Sequence, residues 1–501
     1  MRRIALLSLA PLLAAFLASC GGGSGTANPG SPSSLSYTSP QSLTLDATLT
    51  PLNPNVSGGV TSYSVSPPLP SGLTLDTATG QISGTPTVTS AAAAYRITAT
   101  NAQGSTSFDL SLAVDYTQPF WVEPARSTVI GIGQIIDLYG AYKAHPSDAY
   151  PTYLNGTAIT WSSSNPSCAV VSSSGVVLGV SACSTVITAL YSGHSVQVPV
   201  QVSGNWVTRS IAVTGQGTRT YSIYVPDFGS TPGPHAAMLS LHGGGGTAMI
   251  QASTSQLVRL AQAQKIYVAF LQGTGTVPTF NAGACCGEAK TNNVDDVAYA
   301  NAVLDDMVGH DSIDTSHVYA SGMSNGGMMA HRLACEMSTR LNGIMAVSGA
   351  SAEYDENQAH HFYTCAPTRR IPILHIHATN DRNYPFGGGT GDGASGTPYY
   401  PVDSTIADWR TRNNVTSQAT VTRVTATTTC YRYDQPANTS LSSAPVTLCK
   451  IDPVDVYDSV NGIVFGGGHS WPGGVRSPSS TSDTPIMDFV ANDYMWQYFN
   501  P

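Results

Sequence analysis

Positive charge is scarce in this sequence. Of its 501 residues only 10% are Asp, Glu, Lys or Arg, against roughly 25% in an average soluble protein. The net charge is −9 at pH 7, and lysine occurs only at Lys143, Lys265, Lys290 and Lys450. A chain with so few cations lacks the electrostatic attraction with which proteins bind a phosphate backbone. We therefore expect no nucleic-acid partner.

Two further absences argue against a multi-span membrane protein and against a structural zinc site. A mean hydropathy of −0.02 argues against a protein that crosses a membrane several times. The sequence contains no Cys-x2-Cys pair, so it lacks the ligand spacing that is typical of a structural zinc site. Glycine (49 residues) and proline (32 residues) are abundant instead, and 41% of the chain is hydrophobic. This composition indicates turn-rich β structure with real cores rather than disorder.

The first 19 residues have the pattern of a signal peptide. Two arginines precede an apolar run over residues 4–16, which is too short to span a membrane comfortably. Leu17-Ala18-Ser19-Cys20 follows and resembles the bacterial lipobox, whose cysteine becomes the lipidated first residue of the mature chain. Residues 20–31 then form a flexible tether. We predict export, either with a lipid anchor on Cys20 that holds the protein at the cell envelope, facing outward, or as a secreted protein after ordinary signal cleavage.

Cysteine usage agrees with export. Without Cys20 the chain holds eight cysteines, an even number of the kind that an oxidising compartment favours. Two pairs are close in sequence and flanked by strand-like runs, and we expect them to bond locally: Cys168 with Cys183, and Cys430 with Cys449. A bridge between neighbouring residues is strained, so we expect the adjacent Cys285 and Cys286 to bond with Cys335 and Cys365, in an order that the sequence leaves open.

Two β-rich blocks precede the rest of the chain. Residues 32–116 show short alternating runs broken by Pro, Gly and Asn, as in a small β-sandwich. Their segment over residues 70–86, with Leu73-Thr74-Leu75-Asp76 and Gly80-Gln81-Ile82-Ser83-Gly84-Thr85-Pro86, resembles the immunoglobulin-like repeat of bacterial surface proteins. Residues 117–204 carry Ile159-Thr160-Trp161-Ser162-Ser163-Ser164-Asn165-Pro166 and are similar to group-2 bacterial immunoglobulin-like domains. We expect both domains to be spacers, with polymer or surface binding as the alternative.

Residues 205–501 alternate between apolar strands and helices. The predicted strands cover residues 219–226, 236–241, 266–271, 317–320, 343–347 and 371–377, and the predicted helices cover residues 255–265, 293–308 and 325–337. This alternation predicts a mostly parallel sheet with crossover helices. The chain is therefore expected to be multidomain, with two N-terminal all-β sandwiches followed by an α/β domain.

A candidate nucleophile lies between a predicted strand and a predicted helix. Gly322-Met323-Ser324-Asn325-Gly326 has the pattern G-x-S-x-G, in which glycines allow a sharp turn that exposes the serine hydroxyl. The helix that starts at Asn325 offers its N–H groups to a developing oxyanion. Upstream, a strand runs into His242-Gly243-Gly244-Gly245-Gly246, and we expect the second oxyanion N–H from Gly244 or a neighbouring position. His242 is expected to be a structural hydrogen-bonding group.

An acid and a base follow in the order expected for a Ser…Asp…His triad. Asp381 lies just after the strand over residues 371–377, whereas the rival Asp392 lies in a Gly-rich stretch and Asp403 is explained as a helix cap. His469 lies on a glycine loop after the last strand. It would take the proton from Ser324, while Asp381 would hold the imidazole. His375 and His377 alternate along a strand and are expected in the core or behind the site, not at a metal.

Five motifs in order carry a family resemblance. They are Leu241-His242-Gly243-Gly244, Asn281-Ala282-Gly283-Ala284-Cys285-Cys286-Gly287, Val294-Asp295-Asp296-Val297, Gly322-Met323-Ser324-Asn325-Gly326-Gly327 and Gly466-Gly467-Gly468-His469-Ser470-Trp471-Pro472. Residues 206–501 resemble the α/β-hydrolase esterases that include secreted polyhydroxybutyrate depolymerases and feruloyl esterases. The resemblance implies the roles of nucleophile for Ser324, base for His469 and acid for Asp381. We expect Asp295 and Asp296 to be helix caps or structural groups.

The predicted activity is hydrolysis of carboxylic esters through an acyl-enzyme, without a metal or an organic cofactor. A polymer-linked ester, such as a polyhydroxyalkanoate, is the first expectation, and an aryl ester of plant cell walls is the alternative. A surface binding protein with an inactive hydrolase domain is the alternative of another class. Three aromatic residues near the motifs are candidates for substrate contact: Tyr384, Trp409 and Trp471. We expect a monomer whose contact with a membrane is limited to the N-terminal lipid anchor.

Overall fold

The computed structural model of the chain describes residues 30–45, 47–115, 120–123, 128–142, 152–154, 158–355, 357–358, 360–393, 395–452, 454–458, 462–476 and 483–500. The predicted signal peptide, Cys20 and most of the tether lie outside these residues. In the described part of the chain, no helix has the length and apolar character needed to cross a membrane. The chain divides into two compact units, Met1–Thr117 and Gln118–Pro501.

The first unit is a small β-sandwich. Its strands are β1 Ser33–Ser36, β2 Gln41–Thr44, β3 Asn55–Ser57, β4 Ser62–Ser66, β5 Leu73–Leu75, β6 Ile82–Gly84, β7 Ser90–Asn101 and β8 Gly104–Asp115. Strands β2, β8, β7 and β4 form one sheet in that order. Alternate residues of β7 and β8 point inward, so that Ile97, Leu110 and Leu112 are completely buried. This architecture confirms the predicted immunoglobulin-like domain.

The second unit begins with another β-rich block. Its strands are β9 Phe120–Glu123, β10 Thr128–Ile132, β11 Ile135–Asp137, β12 Tyr139–Tyr142, β13 Thr152–Tyr153, β14 Thr160–Ser163, β15 Ala169–Val171, β16 Val176–Gly179, β17 Cys183–Tyr191 and β18 His194–Val213. They surround a core of their own, in which Val177 and Ile187 are completely buried. Cys168 and Cys183 form a disulfide across this core, with Cα atoms 5.7 Å apart, as predicted.

Strand β18 joins this block directly to the α/β part. Its first half pairs with β17, and from Asn205 onward it pairs with β19 (Gly217–Val225). The switch of partner occurs at Gly204, where φ is +67° and a Cβ atom would lie 2.5 Å from the carbonyl oxygen of Val225. The boundary predicted between residues 204 and 205 therefore lies inside a continuous strand, and the sequence change there marks a change of strand partner without a linker.

The α/β part contains the strands and helices that carry the motifs. Beyond β19 its strands are β20 His235–Leu241, β21 Tyr267–Leu271, β22 Ile313–Met323, β23 Gly343–Val347, β24 Ile373–Ala378, β25 Gly389–Thr390, β26 Pro398–Tyr399, β27 Thr420–Arg423, β28 Thr428–Tyr433, β29 Val446–Ile451, β30 Val454–Asp458 and β31 Gly462–Gly466. Its helices are α1 Ala248–Ser255, α2 Leu257–Gln264, α3 Gly287–Thr291, α4 Asp296–His310, α5 Asn325–Glu336, α6 Val402–Arg412 and α7 Ala491–Phe499.

The central sheet has the order β19-β21-β20-β22-β23-β24-β29-β28-β27 through the α/β part. The pairs from β21 to β29 are parallel, whereas β19, β28 and β27 are added antiparallel. Side chains of α4, α5 and α6 pack on one face, and those of α1, α2 and α7 pack on the other. The predicted α/β-hydrolase fold is confirmed, and the carboxyl ends of the parallel strands meet at one edge, where ligands bind in such sheets.

The remaining disulfides correct one prediction. Cys430 and Cys449 face each other across β28 and β29 and are bonded, as predicted. The expected crossing of Cys285 and Cys286 to the other two cysteines is wrong. Cys335, in the last turn of α5, bonds with Cys365 at a Cα separation of 4.9 Å, which is within the usual range. With those two sulfurs paired, Cys285 bonds with its neighbour Cys286.

Candidate active site

Ser324 lies on a sharp turn between β22 and α5. Its backbone has φ 54° and ψ −123°, an unusual conformation for a residue that is not glycine. The glycines around it allow this turn, because a Cβ atom on Gly326 would lie 2.2 Å from the carbonyl oxygen of Leu241. A Cβ atom on Gly322 would lie 2.2 Å from the carbonyl oxygen of Gly326. The predicted G-x-S-x-G turn is therefore a close packing of three backbone segments.

Asp381 lies in the loop that follows β24, and its side chain is completely buried. One carboxylate oxygen, Oδ1, accepts hydrogen bonds from the backbone N–H groups of Asn383 and Tyr384, each at 2.9 Å. The other oxygen, Oδ2, accepts a hydrogen bond from Nδ1 of His469 at 2.8 Å. Two backbone donors thus orient the carboxylate, and its second oxygen is directed at the histidine.

The loop of His469 is held on both sides. The N–H of Gly468 donates to Oδ1 of Asn380 at 2.8 Å, and the N–H of His469 donates to Oδ2 of Asp483 at 2.6 Å. The imidazole side chain itself is 13% exposed. Because Nδ1 donates to Asp381, the unprotonated Nε2 is the basic nitrogen of the neutral ring, as a general base requires.

Charge stabilises this pair in its ionised form. Burial opposes ionisation of Asp381, but the charge and hydrogen bond of His469 outweigh it and lower the pKa of the Asp381 carboxyl below its usual value. Burial likewise favours a neutral His469, yet the carboxylate of Asp381 raises the pKa of the His469 ring above its usual value. The site is therefore arranged to accept a proton on His469.

The glycine loop after β20 is fixed by His242. Nδ1 of this buried histidine donates to the carbonyl oxygen of Gly243 at 2.7 Å, and Nε2 accepts a hydrogen bond from the N–H of Gly273 at 2.9 Å. Burial lowers the pKa of His242 to about 4. The neutral ring therefore bridges two backbone segments, which is the structural role predicted for it.

Hydrogen bonds within the loop narrow the choice of oxyanion donors. The N–H groups of Gly245 and Gly246 donate to the carbonyl oxygens of Pro278 and Gly243, so neither can serve an oxyanion. Gly243 and Gly244 remain as the loop's candidates, and both line a cavity with Ser324. Asn325 begins α5, and its side chain forms two hydrogen bonds with the backbone of Phe280 that hold the helix start in place.

Two cavities meet at Ser324. One has a volume of about 270 Å³ and is lined on its far side by Ile250, Trp471 and Arg476. The other has a volume of about 560 Å³ and is lined by Val277, Thr279 and Tyr399 among others. Four residues line both cavities: Gly244, Ser324, Asn383 and His469. An ester whose carbonyl lies at Ser324 could place its two halves in the two cavities.

The aromatic residues proposed for substrate contact lie in different places. Trp471 lines the smaller cavity, and its indole N–H donates to Asn492 at 3.0 Å. Tyr384 and Trp409 line neither cavity and are 1% exposed. The hydroxyl of Tyr384 donates to the carbonyl oxygen of Tyr400, and the indole of Trp409 donates to His331. The structure therefore places Tyr384 and Trp409 in the core, which corrects the expectation that they contact substrate.

The paired aspartates of the third motif have structural roles, as predicted. Asp295 caps α4 by accepting a hydrogen bond from the N–H of Ala298. The buried Asp296 pairs with Arg219 at 2.9 Å and accepts the N–H of Asn281. Among the residues that the structure describes, no group of three or more His, Cys, Asp or Glu side chains is placed to hold a metal ion.

Comparison with known proteins places this site in a family. Residues 23–117 match the family described as "Putative Ig domain", and residues 230–390 match the family described as "Phospholipase/Carboxylesterase". The "Putative esterase NocK" of Nocardia uniformis subsp. tsuyamanensis is 30% identical over 284 residues, which cover 53% of this chain and 74% of that protein. The chain belongs to the α/β-hydrolase esterases. It is a carboxylic-ester hydrolase.

The similarity covers very different shares of other proteins. "Feruloyl esterase B" of Piromyces equi is 27% identical over 177 residues, which cover 34% of this chain and 31% of that protein. Among solved structures, an acetyl xylan esterase from Aspergillus awamori aligns with a TM-score of 0.38 at 15% identity, covering 59% of this chain and 99% of that one. The esterase thus spans about three quarters of the Nocardia protein but less than a third of feruloyl esterase B.

Sequence reasoning missed several residues that hold the site. Asn380 and Asp483 bind the loop of His469 through its backbone, and the buried His331 is hydrogen-bonded to His375 on β24. A signal for His331 was present, because this polar residue interrupts a helix whose other residues from 325 to 335 are largely glycine or apolar. No comparable signal marked Asp483, because its contact with His469 depends on the path of a loop.

Proposed function

We propose that this esterase cleaves its substrate through a covalent acyl-enzyme, with Ser324 as nucleophile, His469 as general base and acid, and Asp381 as the group that orients His469. Ser324 attacks the ester carbonyl while its proton passes to Nε2 of His469. His469 then protonates the leaving alcohol, and water repeats the cycle to release the acid. The N–H groups of Asn325 and of Gly244 or Gly243 stabilise the oxyanion.

One arrangement carries this proposal. Ser324 and His469 line the same two cavities, and Nδ1 of His469 lies 2.8 Å from the buried carboxylate of Asp381. The three residues come from three separate loops: Ser324 and Asp381 follow the parallel strands β22 and β24, and His469 follows β31 of a separate two-stranded sheet. The same arrangement argues against a binding protein with an inactive hydrolase domain.

The first experiment is a comparison of initial rates on p-nitrophenyl butyrate for the full chain and its Ser324→Ala variant. Loss of a triad serine should lower kcat by about 10⁵-fold or more. Ser316→Ala, which changes an exposed serine, is the matched control and should leave the rate unchanged. A fluorophosphonate should label wild-type protein at Ser324. A folded Ser324→Ala variant with the wild-type rate would disprove the assignment.

We further propose that the natural substrate is an ester linked to a polymer outside the cytoplasm. The signal-like first 19 residues, the four disulfides among the described residues and the immunoglobulin-like domain support an exported enzyme that is held away from a surface. Lipid attachment at Cys20 would provide the anchor. Two cavities that both include Ser324 in their lining suit an ester that is substituted on both sides.

Two polymers are candidates. Relatives named feruloyl esterase B and bifunctional acetylxylan esterase/xylanase XynS20E favour an ester of a plant cell-wall polysaccharide. The motif resemblance to secreted polyhydroxybutyrate depolymerases favours a polyhydroxyalkanoate. Release of ferulate from methyl ferulate, of acetate from acetylated xylan and of hydroxybutyrate from a film should be measured side by side. Activity on the film alone would favour the polyester, and activity on ferulate or xylan alone would favour the cell-wall ester.

A further inference from the structure

A line of hydrogen-bonded rings starts at Trp409 in the core. The indole Nε1 of Trp409 lies 2.9 Å from Nδ1 of His331, and both side chains are buried. An indole N–H can only donate a hydrogen bond. Nδ1 of His331 must therefore be an acceptor, which places the proton of the neutral ring on Nε2.

The same reasoning fixes the next two rings. Nε2 of His331 lies 3.2 Å from Nδ1 of His375, and Nε2 of His375 lies 3.2 Å from Nδ1 of His377. Because Nε2 of His331 carries the proton, it donates to Nδ1 of His375, and the proton of His375 must then lie on its Nε2. The same step from His375 to His377 places the proton of His377 on Nε2 as well. The reverse direction would bring the N–H of His331 against the N–H of Trp409.

The line ends in the loop that carries the proposed catalytic carboxylate. Nε2 of His377 lies 2.9 Å from the carbonyl oxygen of Tyr384 and 3.4 Å from Oδ2 of Asp381. Oδ2 is the same oxygen that accepts the hydrogen bond of His469. The last N–H of the line therefore donates to the backbone of the acid loop at Tyr384, and it lies beside Oδ2 of Asp381 without forming a hydrogen bond with it.

The fold explains why these rings meet. His375 and His377 are two residues apart on β24, so they point to the same face of the sheet. His331 lies on α5 and Trp409 on α6, which are two of the three helices that pack on that face. His331 also follows Ser324 by about two helical turns. The line thus connects the helix of the nucleophile with the loop of the acid.

Burial keeps the three rings neutral. It lowers the pKa of His331 to about 3 and the pKa of His375 well below its usual value. It also lowers the pKa of His377, although the carboxylate of Asp381 partly opposes this shift. The charged groups nearest the ends are Arg412 at His331, and Asp381 and His469 at His377. With neutral rings and a fixed donor at one end, the direction of every bond is determined.

We propose that His331, His375 and His377 form a positioning relay that binds the acid loop at the carbonyl oxygen of Tyr384 and so holds the carboxylate of Asp381 in line with His469. The N–H of Tyr384 in turn donates to Oδ1 of Asp381, and Nε2 of His377 lies 3.4 Å from its Oδ2. These histidines act through Asp381 and touch neither substrate nor Ser324. The inference rests on the proposed function, because it assigns the relay to the acid of the triad. It adds residues on α5, α6 and β24 to those that determine the reaction rate.

The kinetic test removes one end of the relay at a time. His377→Leu removes the donor to the acid loop and leaves the buried carbonyl oxygen of Tyr384 without it, so we expect kcat to fall about tenfold, with KM within about twofold. The carboxylate, without the polar ring of His377 3.4 Å from Oδ2, should hold the His469 proton more strongly, so the acidic limb of kcat/KM should move to higher pH. His377→Gln retains an N–H donor and should restore much of kcat.

Trp409→Phe supplies a second variant in case His377→Leu does not fold. It keeps the aromatic ring but removes the donor that sets the direction, and we expect a smaller fall in kcat with an altered pH profile. Trp206→Phe is the matched control, because this buried tryptophan packs on Phe270 on the other face of the sheet. Thermal unfolding of each variant establishes that it is folded. Wild-type kinetics and pH profiles in folded His377→Leu and Trp409→Phe would overturn the inference.

A readout independent of activity separates the relay from the proposed function. In the full chain labelled with ¹⁵N-histidine, the three rings should show the Nε2–H tautomer and should not titrate between pH 5 and 8. Trp409→Phe should shift the Nδ1 resonance of His331, whereas Trp206→Phe should not. Titrating rings, or a proton on Nδ1, would disprove the relay. An inactive wild-type protein with these resonances intact would instead disprove the proposed function alone.

Discussion

The turn around Ser324 and the pair of Asp381 and His469 are built in opposite ways. The turn consists of contiguous residues, and its shape depends on glycines that allow backbone segments to approach closely. The pair joins residues that are 88 positions apart, and hydrogen bonds to buried groups hold it together. A local backbone feature can be recognised in a motif, whereas a contact between distant loops depends on everything that positions the loops.

The two histidines at the cavity show the same contrast. His242 belongs to the glycine loop and bridges backbone groups, so burial lowers its pKa to about 4. His469 faces a carboxylate, whose charge outweighs burial and raises its pKa. Histidine is thus a neutral group that links backbone segments at position 242 and a proton acceptor at position 469, because its partners differ.

The largest effect should come from the turn. In Gly326→Ala the new Cβ would lie 2.2 Å from the carbonyl oxygen of Leu241 and 2.6 Å from that of His242, so either the turn or the strand must move. We expect loss of esterase activity by about 10⁴-fold or more together with a lower melting temperature. Gly309→Ala is the control, because nothing lies within 4 Å of its added Cβ. A fully active Gly326→Ala would show that the close packing is not required.

The next effect should come from the pair. Asp381→Asn keeps the shape of the side chain but replaces the carboxylate, so the tautomer and orientation of His469 are no longer fixed. We expect kcat to fall by about 10⁴-fold. Asp392→Asn changes an exposed acid that lines neither cavity and should leave kcat unchanged. Equal activities of the two variants would remove Asp381 from the triad.

A smaller effect is expected from the anchor of the His469 loop. Asp483→Ala removes the acceptor for the N–H of His469, and we expect kcat to fall about tenfold because the imidazole is less well placed. Asp483→Asn retains an oxygen acceptor and should keep most of the activity. If Asp483→Ala matched the wild type in single-turnover assays, the loop would be held without this contact.

The effect of pH should separate the two histidines. Since the base must be neutral and its pKa is raised, kcat/KM should fall as the pH is lowered, with a midpoint above 6.5, the usual value for histidine. His242 has a lowered pKa, so its contribution to stability should decline only as the pH falls from 6.5 towards 4. A pH–rate profile and near-ultraviolet circular dichroism measure the two changes. If kcat/KM and the circular dichroism signal were lost over the same pH range, the proposed difference between His469 and His242 would be wrong.

Much of the fold was predictable because its signals are local. The strands over residues 236–241, 266–271 and 343–347 are apolar runs of the length of a buried strand, and the structure places β20, β21 and β23 there. The helix after Ser324 was predicted from its glycine turn and corresponds to α5. The disulfide between Cys430 and Cys449 followed from short separation and flanking strands.

Other features were not predictable because they depend on distant partners. Cys285 and Cys286 offered several pairings, and the approach of Cys335 to Cys365 decided among them. Trp409 was an equally reasonable candidate for the cavity and for the core. Only the packing of α6 on the sheet placed its indole against His331.

The order of the domains, the alternation of strands and helices, and the residue types available for ester hydrolysis can all be inferred from the amino-acid sequence. These follow from periodicity, from backbone sterics at glycine and from the chemistry of serine, aspartate and histidine. Only the folded chain shows which nitrogen of His469 faces Asp381, which loop amides are already bonded, and how three core histidines form a line that ends in the acid loop. These features depend on burial and on hydrogen-bond partners that are far apart in the sequence, and no short stretch of sequence specifies such partners.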